Sequence, residues 1–384
     1  MTMVCQARSN AILRTIVVSF TTLLSGGCGD VKTTSHPPPT KMLEASGGCG
    51  DVKTSNHPPP TKMLEANIPK TPFPVFDPAN FDLNNTSHQS IQVAIREELK
   101  KSEGNLTRMD MEKVYSLDLF EKRVNDISPL SALKNVKKLV LFGNRIESLA
   151  PLSGLTSLEL LYASENQIAD LKPLAHLEQL RVLHLRQNII TNVTALTSLV
   201  SLQSLDLERN RIADITPLAG LENLNWLGLG HNQIADLEPL KNLKSLRHLY
   251  LERNRLNDST NLTPLSNLRS LKSFALGGNQ IVNLSSLSEM KNMTWLELEN
   301  NRVADLAPLN QMLKLQKLYI AGNRVKNLSH LEGLSSLTEL YGKGNPTPLD
   351  QIRNLRKKLP HCKIDIGTLK VMPSRRSRKG TAPK

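Results

Sequence analysis

Between Met111 and Asn345 the apolar positions of the chain follow one 22-residue pattern. In LVSLQSLDLERNRIADITPLAG, from Leu199 to Gly220, leucines stand at 199, 202, 205 and 207, isoleucines at 212 and 215, and Pro217-Leu218 closes the unit. The alternation Leu205-Asp206-Leu207 predicts a short strand with one face inward, while the other leucines fill the same interior from the turns. A polar residue marks the same period. Asn144, Asn166, Asn188, Asn210, Asn232 and Asn254 are spaced by 22, and Asn279, Asn301, Asn323 and Asn345 by 22 again after one step of 25. The three extra residues fall around Ser259 to Asn261.

Each feature of the unit has a physical reason. Burying one such leucine contributes roughly 1.5–3 kcal/mol, yet a single unit cannot shield its own apolar face, so successive units must stack. The asparagine falls where the chain leaves the strand. There its amide can pair backbone groups that would otherwise be orphaned in a buried corner, at about 1–3 kcal/mol each. Pro129, Pro151, Pro173, Pro217, Pro239, Pro264 and Pro308 predict tight or extended turns on the outer side rather than long helices.

The unit resembles the leucine-rich repeat, and its 22-residue form with Asp214-Ile215-Thr216-Pro217-Leu218 is similar to the internalin type. That resemblance implies an α/β solenoid. Its expected form is a horseshoe with a parallel concave β-sheet, an irregular or 3-10 convex side, and helical N- and C-terminal caps. About 10–11 repeats are expected over 111–345. A solenoid needs covers at its ends. Upstream, Ile91, Ile95 and Leu99 recur every four residues, Ser90 is placed as an N-cap and Gly104 as a stop, with Thr107 opening a second short helix. This preface, 89–110, resembles the N-terminal cap of internalin-like bacterial proteins. At the other end, 346–366 predicts a capping helix with Ile352 and Leu355 inward, then a short strand; Cys362 is expected there as a buried structural thiol.

The stretch before the caps has a different character. Arg8 and Arg14 precede the apolar run Thr15 to Leu24, too short to cross a hydrocarbon core but suited to an export signal, 1–27. Leu24-Ser25-Gly26-Gly27-Cys28 resembles the lipobox of bacterial lipoproteins, which implies lipidation at Cys28. Ser25 stands where that family usually has Leu. Ordinary cleavage near Gly26 or Gly27 with a free thiol is the other reading. The segment SGGCGDVKTTSHPPPTKMLEA, from Ser25 to Ala45, recurs from Ser46 to Ala66 with Ser55 and Asn56 in place of Thr34 and Ser35. Cys49 has no apolar run before it, so the repeated copy reads as a longer Pro-rich tether, 28–66, ahead of a linker, 67–88.

Charge changes the picture less than its total suggests. The chain of 384 residues carries +13, but residues from Ile366 onward hold six bases and no acid, and 1–66 hold six bases against four acids. The body therefore retains 36 bases against 31 acids. The basic tail, 367–384, lacks interleaved aromatics and gives little support to nucleic-acid binding. Four cysteines at 5, 28, 49 and 362 form neither a zinc spacing nor a disulfide framework. No phosphate loop, GxSxG, HExxH or DxDxDG motif occurs, and carboxylates such as Asp118 and Glu121 sit at solvated positions. The expectation is a protein without catalytic residues, metal or cofactor.

Repeat register carries the remaining inference. Strand positions beside the inward leucine point out of the concave sheet and stack ~4.8 Å apart. They hold Tyr162, His184, Trp226, His248, Tyr250, Trp295, Tyr319 and Tyr341, with Arg186, Arg209, Arg253 and Glu208, Glu252, Glu297, Glu299 alongside. Aromatics make up only 4% of the chain, yet both tryptophans and four of five tyrosines fall here. Such residues beside arginine carry binding energy at protein interfaces. Alternatively they only cover neighbouring strands. The leading expectation is an exported monomer, lipid-anchored in a bacterial envelope, that binds a protein or other macromolecule and touches membrane only through its anchor. An intracellular scaffold similar to phosphatase-regulatory repeat proteins is the alternative.

Overall fold

The computed structural model describes residues 76–257 and 262–367. The export signal, Cys28, the doubled tether, the three-residue insertion and the tail beyond Gly367 lie outside the described residues. Twelve three-residue strands form one parallel sheet in chain order: β1 Ser116–Asp118, β2 Lys138–Val140, β3 Leu160–Tyr162, β4 Val182–His184, β5 Ser204–Asp206, β6 Trp226–Gly228, β7 His248–Tyr250, β8 Ser273–Ala275, β9 Trp295–Glu297, β10 Lys317–Tyr319, β11 Glu339–Tyr341 and β12 Lys363–Asp365. Neighbours are offset by one repeat, as in Leu205 opposite Leu227, and the step of 25 places Leu249 opposite Phe274. This is the open leucine-rich-repeat horseshoe.

The middle residue of every strand points inward, and Leu205, Leu227, Leu249 and Phe274 are fully buried. Phe274 replaces leucine on the first strand after the insertion and is the largest fully buried side chain among the described residues. Across the core from the sheet, the chain turns through short 3-10 segments such as Thr216–Leu218 and Glu238–Leu240, with proline in the first turn. Proline suits that place because its missing N–H would have no partner there anyway. An aspartate or asparagine just ahead receives an exposed N–H, as Asp214 Oδ1 does from Thr216 N at 2.8 Å.

The asparagine ladder closes the corner after each strand. Asn232 Nδ2 donates to the carbonyls of Leu207 (2.9 Å), Leu229 (3.0 Å) and Gly230 (3.3 Å), and its Oδ1 accepts from Ile212 N at 3.0 Å. One amide thus joins two rungs. Next to the insertion the pattern slips: Asn279 Oδ1 accepts from both Asn254 N and Leu256 N, at 3.1 and 3.3 Å.

The caps differ from expectation at their edges. Helix α1 spans Thr86–Leu99, and its N-cap is Asn85, whose Oδ1 accepts from Ser87 N and His88 N, rather than Ser90. It ends not at Gly104 but at Lys100, whose left-handed φ of 52° turns the chain out. Ile91 and Ile95 are fully buried against the first repeats. The short helix α2, Arg108–Met111, has Thr107 as N-cap in a reciprocal box with Asp110. Helix α3, Leu349–Lys358, turns Ile352 and Leu355 into the core, and β12 extends the sheet beyond it. Cys362, expected to be buried, is instead a half-buried free thiol at the edge of the last strand, pushed up to about 11 by desolvation.

Candidate functional site on the concave sheet

Seven rings form one continuous row across the concave face. Successive centroid distances are 5.1 Å for Tyr162 to His184, 6.0 Å to Trp226, 5.3 Å to Tyr250, 6.3 Å to Trp295, 5.7 Å to Tyr319 and 5.0 Å to Tyr341. Such tilted and offset contacts each add about 0.5–1.5 kcal/mol beyond the area they bury. The row crosses β5 and β8, whose outward positions hold Ser204 and Asp206 and Ser273 and Ala275 rather than rings, and Trp226 reaches it by leaning along its own strand. Trp226 leans over Gly228, where a Cβ would lie 2.6 Å from Cη2, and Ala275 lies between Tyr250 and Trp295.

The row is not uniformly available. Tyr162 and His184, expected to face a partner, are instead 5% and 8% exposed. Tyr162 packs with Val140 and Val182, and His184 Nε2 pairs with Ser204 Oγ at 3.0 Å. Trp226, His248, Tyr250, Trp295, Tyr319 and Tyr341 are half-buried and keep an open face or edge. His248 stands beside the row rather than within it.

The same face has an apolar end beyond the residues expected from register. Val140, Tyr162 and Val182 form a small cluster with Phe142 and Leu160, and Phe120 stacks on Phe142 at 5.1 Å with 5° between planes. Phe120 and Phe142 stand two residues beyond β1 and β2, the position occupied later by Glu208 and Glu252. The signal was present in the register.

Charged groups occupy the rungs of β5 to β9. Arg186 and Arg209 both pair with Glu208. Glu297 accepts from Gly277 N and Glu299 N, each at 3.0 Å, and Asp206 Oδ1 accepts from Glu208 N at 3.0 Å. Burial raises the carboxyls of Asp206 and Glu297 to about 7 and of Glu252 to about 8, and lowers His184 and His231 to about 4.

These shifts set a pH dependence. A carboxyl raised in the fold above an unfolded value near 4 favours the protonated form, so its contribution to stability is complete below ~4 and is lost as pH climbs through 7 to 8. His184 and His231 act oppositely, but only below ~6.5, their ordinary value. Of these groups, therefore, the carboxyls alone titrate between pH 6.5 and 8.5. The melting temperature is expected to fall across that window. Replacing Glu252 and Glu297 with Gln should flatten the fall, and an equally steep curve in the variant would contradict the assignment.

Among the described residues no cluster of His, Cys, Asp and Glu could hold a metal ion, and no helix is long and apolar enough to cross a membrane. What the face offers is an extended aromatic and charged contact surface.

Comparison with known proteins agrees with this geometry. The family model for leucine rich repeats (2 copies) matches residues 134–176, 156–198, 178–220, 222–269 and 291–333. A crystal structure of an internalin, inlF, from Listeria monocytogenes is 27% identical with a TM-score of 0.62, covering 73% of this chain and 91% of that one. Internalin C2 from the same species is 31% identical, over 59% of this chain and 90% of that one, with a TM-score of 0.47. The chain is a leucine-rich repeat protein of internalin-like type. The Arabidopsis receptor kinase HAESA, solved in complex with the peptide hormone IDA and the co-receptor SERK1, shares the fold at 22% identity and a TM-score of 0.56, over 68% of this chain and 50% of that one. Comparison with curated proteins gives no match. Leucine-rich repeat proteins generally mediate protein binding.

Proposed function

We propose that this leucine-rich repeat protein is an exported, lipid-anchored binding protein that recognises a protein partner on its concave sheet. The observation that carries the reading is the row of rings from Trp226 to Tyr341, which collects both tryptophans of an aromatic-poor chain on one half-open face. Rings half-covered by neighbours are rigid at little entropic cost and still present area to a ligand, which is the character of interface anchors. The HAESA complex illustrates a peptide ligand on the same fold. Immobilised full-length chain is expected to retain a protein partner from cell-surface extracts and to lose it when Trp226 and Trp295 are both Ala. Undiminished retention by that pair would sink the concave reading.

The anchor part rests on the apolar run Thr15–Leu24 and the Gly26-Gly27-Cys28 sequence that follows. Mass spectrometry of the mature protein is expected to find an acylated Cys28 at the N-terminus and an unmodified Cys49. A mature chain beginning elsewhere without lipid would remove the anchor from the account.

A further inference from the structure

We propose that the concave section over β6 to β9 receives an arginine- or lysine-bearing segment of the protein partner, the rings packing its aliphatic stem and the carboxylates pairing its cation. This rests on the concave-face reading and specifies its ligand chemistry.

Two kinds of group meet in this section. Trp226, Tyr250 and Trp295 form its aromatic side. Beside them lie Asp206, Glu208, Glu252, Glu297 and Glu299, with Arg186 among them, while Arg247 and Lys272, just ahead of β7 and β8, act on His248 at the opposite margin of the section. Arg209, His231 and Arg253 stand on the turns at the rim, each with a left-handed φ of 52–56°. Aromatic faces and carboxylates together match a guanidinium or ammonium on an aliphatic stem, which can stack and pair at once.

The compensation of these acids is uneven, and the gap identifies the site. Glu208 has Arg186 and Arg209, and Glu297 has two backbone N–H donors. Glu252 has less. Its carboxylate lies over Gly230, where any Cβ would come within 2.6 Å of Cδ, and its Oε2 is closed off from solvent without a hydrogen-bond partner. A buried carboxyl in that state is disfavoured as an anion unless a cation joins it. Glu208, Glu297 and the hydroxyl of Tyr250 face it with negative or neutral character; Arg186 acts on it in the opposite sense but is bound to Glu208. At the rim, His231 is itself surrounded by Arg209, Arg253 and Arg186.

Binding of a cation should therefore be linked to proton release. The free carboxyl sits at about 8. A bound cation lowers that value, so affinity rises with pH up to about 8 and levels off above it.

The test uses the full chain and a blocked, fluorescein-labelled heptapeptide alternating Gly and Arg, with its citrulline and Glu counterparts. Binding of the Arg peptide is expected to exceed the citrulline peptide by at least ~tenfold, as charge-assisted pairing implies. It should strengthen by about tenfold or more from pH 6 to 8.5, in line with one or more linked protons. Glu252→Gln with Glu297→Gln should abolish both the preference and the pH slope. Gln imitates the protonated carboxyl at 252, and at 297 its one acceptor oxygen keeps one of the two backbone N–H bonds, so the melting temperature at pH 6 should drop only modestly and a cooperative melt reports that the variant is folded. Equal binding of Arg and citrulline peptides, no binding of either, or an unaltered double variant would each overturn the inference. If partner retention still depends on Trp226 and Trp295 in that case, the concave reading stands and only its ligand chemistry fails.

Discussion

Replacing Leu229 with Ala is expected to destabilise the repeat domain by ~2–5 kcal/mol, measured by denaturant or thermal unfolding. Leu229 is fully buried immediately after β6, and its carbonyl is one of the acceptors tied by Asn232 and also by Asn254, at 3.0 Å in both cases. The substitution removes three carbons from a core filled mainly by leucine and isoleucine side chains. In a solenoid each rung contacts only its neighbours, so weakening a central interface loosens the stack on both sides of it. A loss below ~1 kcal/mol would mean that rungs repack independently, against the close-packed interior assumed for buried leucine.

The second large effect concerns recognition. Trp226→Ala and Trp295→Ala are each expected to weaken partner binding by on the order of 2 kcal/mol or more, as anchor aromatics do. Each also gives up ring contacts, Trp226 with His184 and Tyr250, and Trp295 with Tyr250 and Tyr319. At about 0.5–1.5 kcal/mol per contact, a modest drop in stability accompanies the binding loss. Both residues are half-exposed, so the drop should remain below that of Leu229→Ala.

The solenoid was legible because its determinants are local and periodic. Leu205-Asp206-Leu207 locates a strand to within one residue of β5, Ser204–Asp206, and an asparagine every 22 residues states the corner that must be closed. The concave surface was only half legible. Sequence register located Tyr162 and His184 on the sheet face, but their burial depends on Val140, Val182 and Ser204, which lie about one repeat away along the chain. Lateral neighbours, not strand position, decide exposure there. The same holds for Glu252, whose unusual state depends on the missing side chain of Gly230 one rung earlier. At the N-terminal cap the apolar period identified the inward face of α1, yet the helix begins at Thr86. Asn85 offers its Oδ1 to two backbone N–H groups, and that cap outweighs the serine at 90.

The central claim is that the open part of the ring row is the recognition surface rather than cover for the sheet. The most direct test measures binding isotherms and thermal melts together on wild-type chain, Trp226→Ala, Trp295→Ala and Leu229→Ala. The account predicts that both tryptophan variants lose about thirtyfold or more in affinity with small shifts in melting, while Leu229→Ala melts far earlier and binds normally at temperatures where it is folded. Tryptophan variants that melt early and bind the partner with unchanged affinity would contradict it.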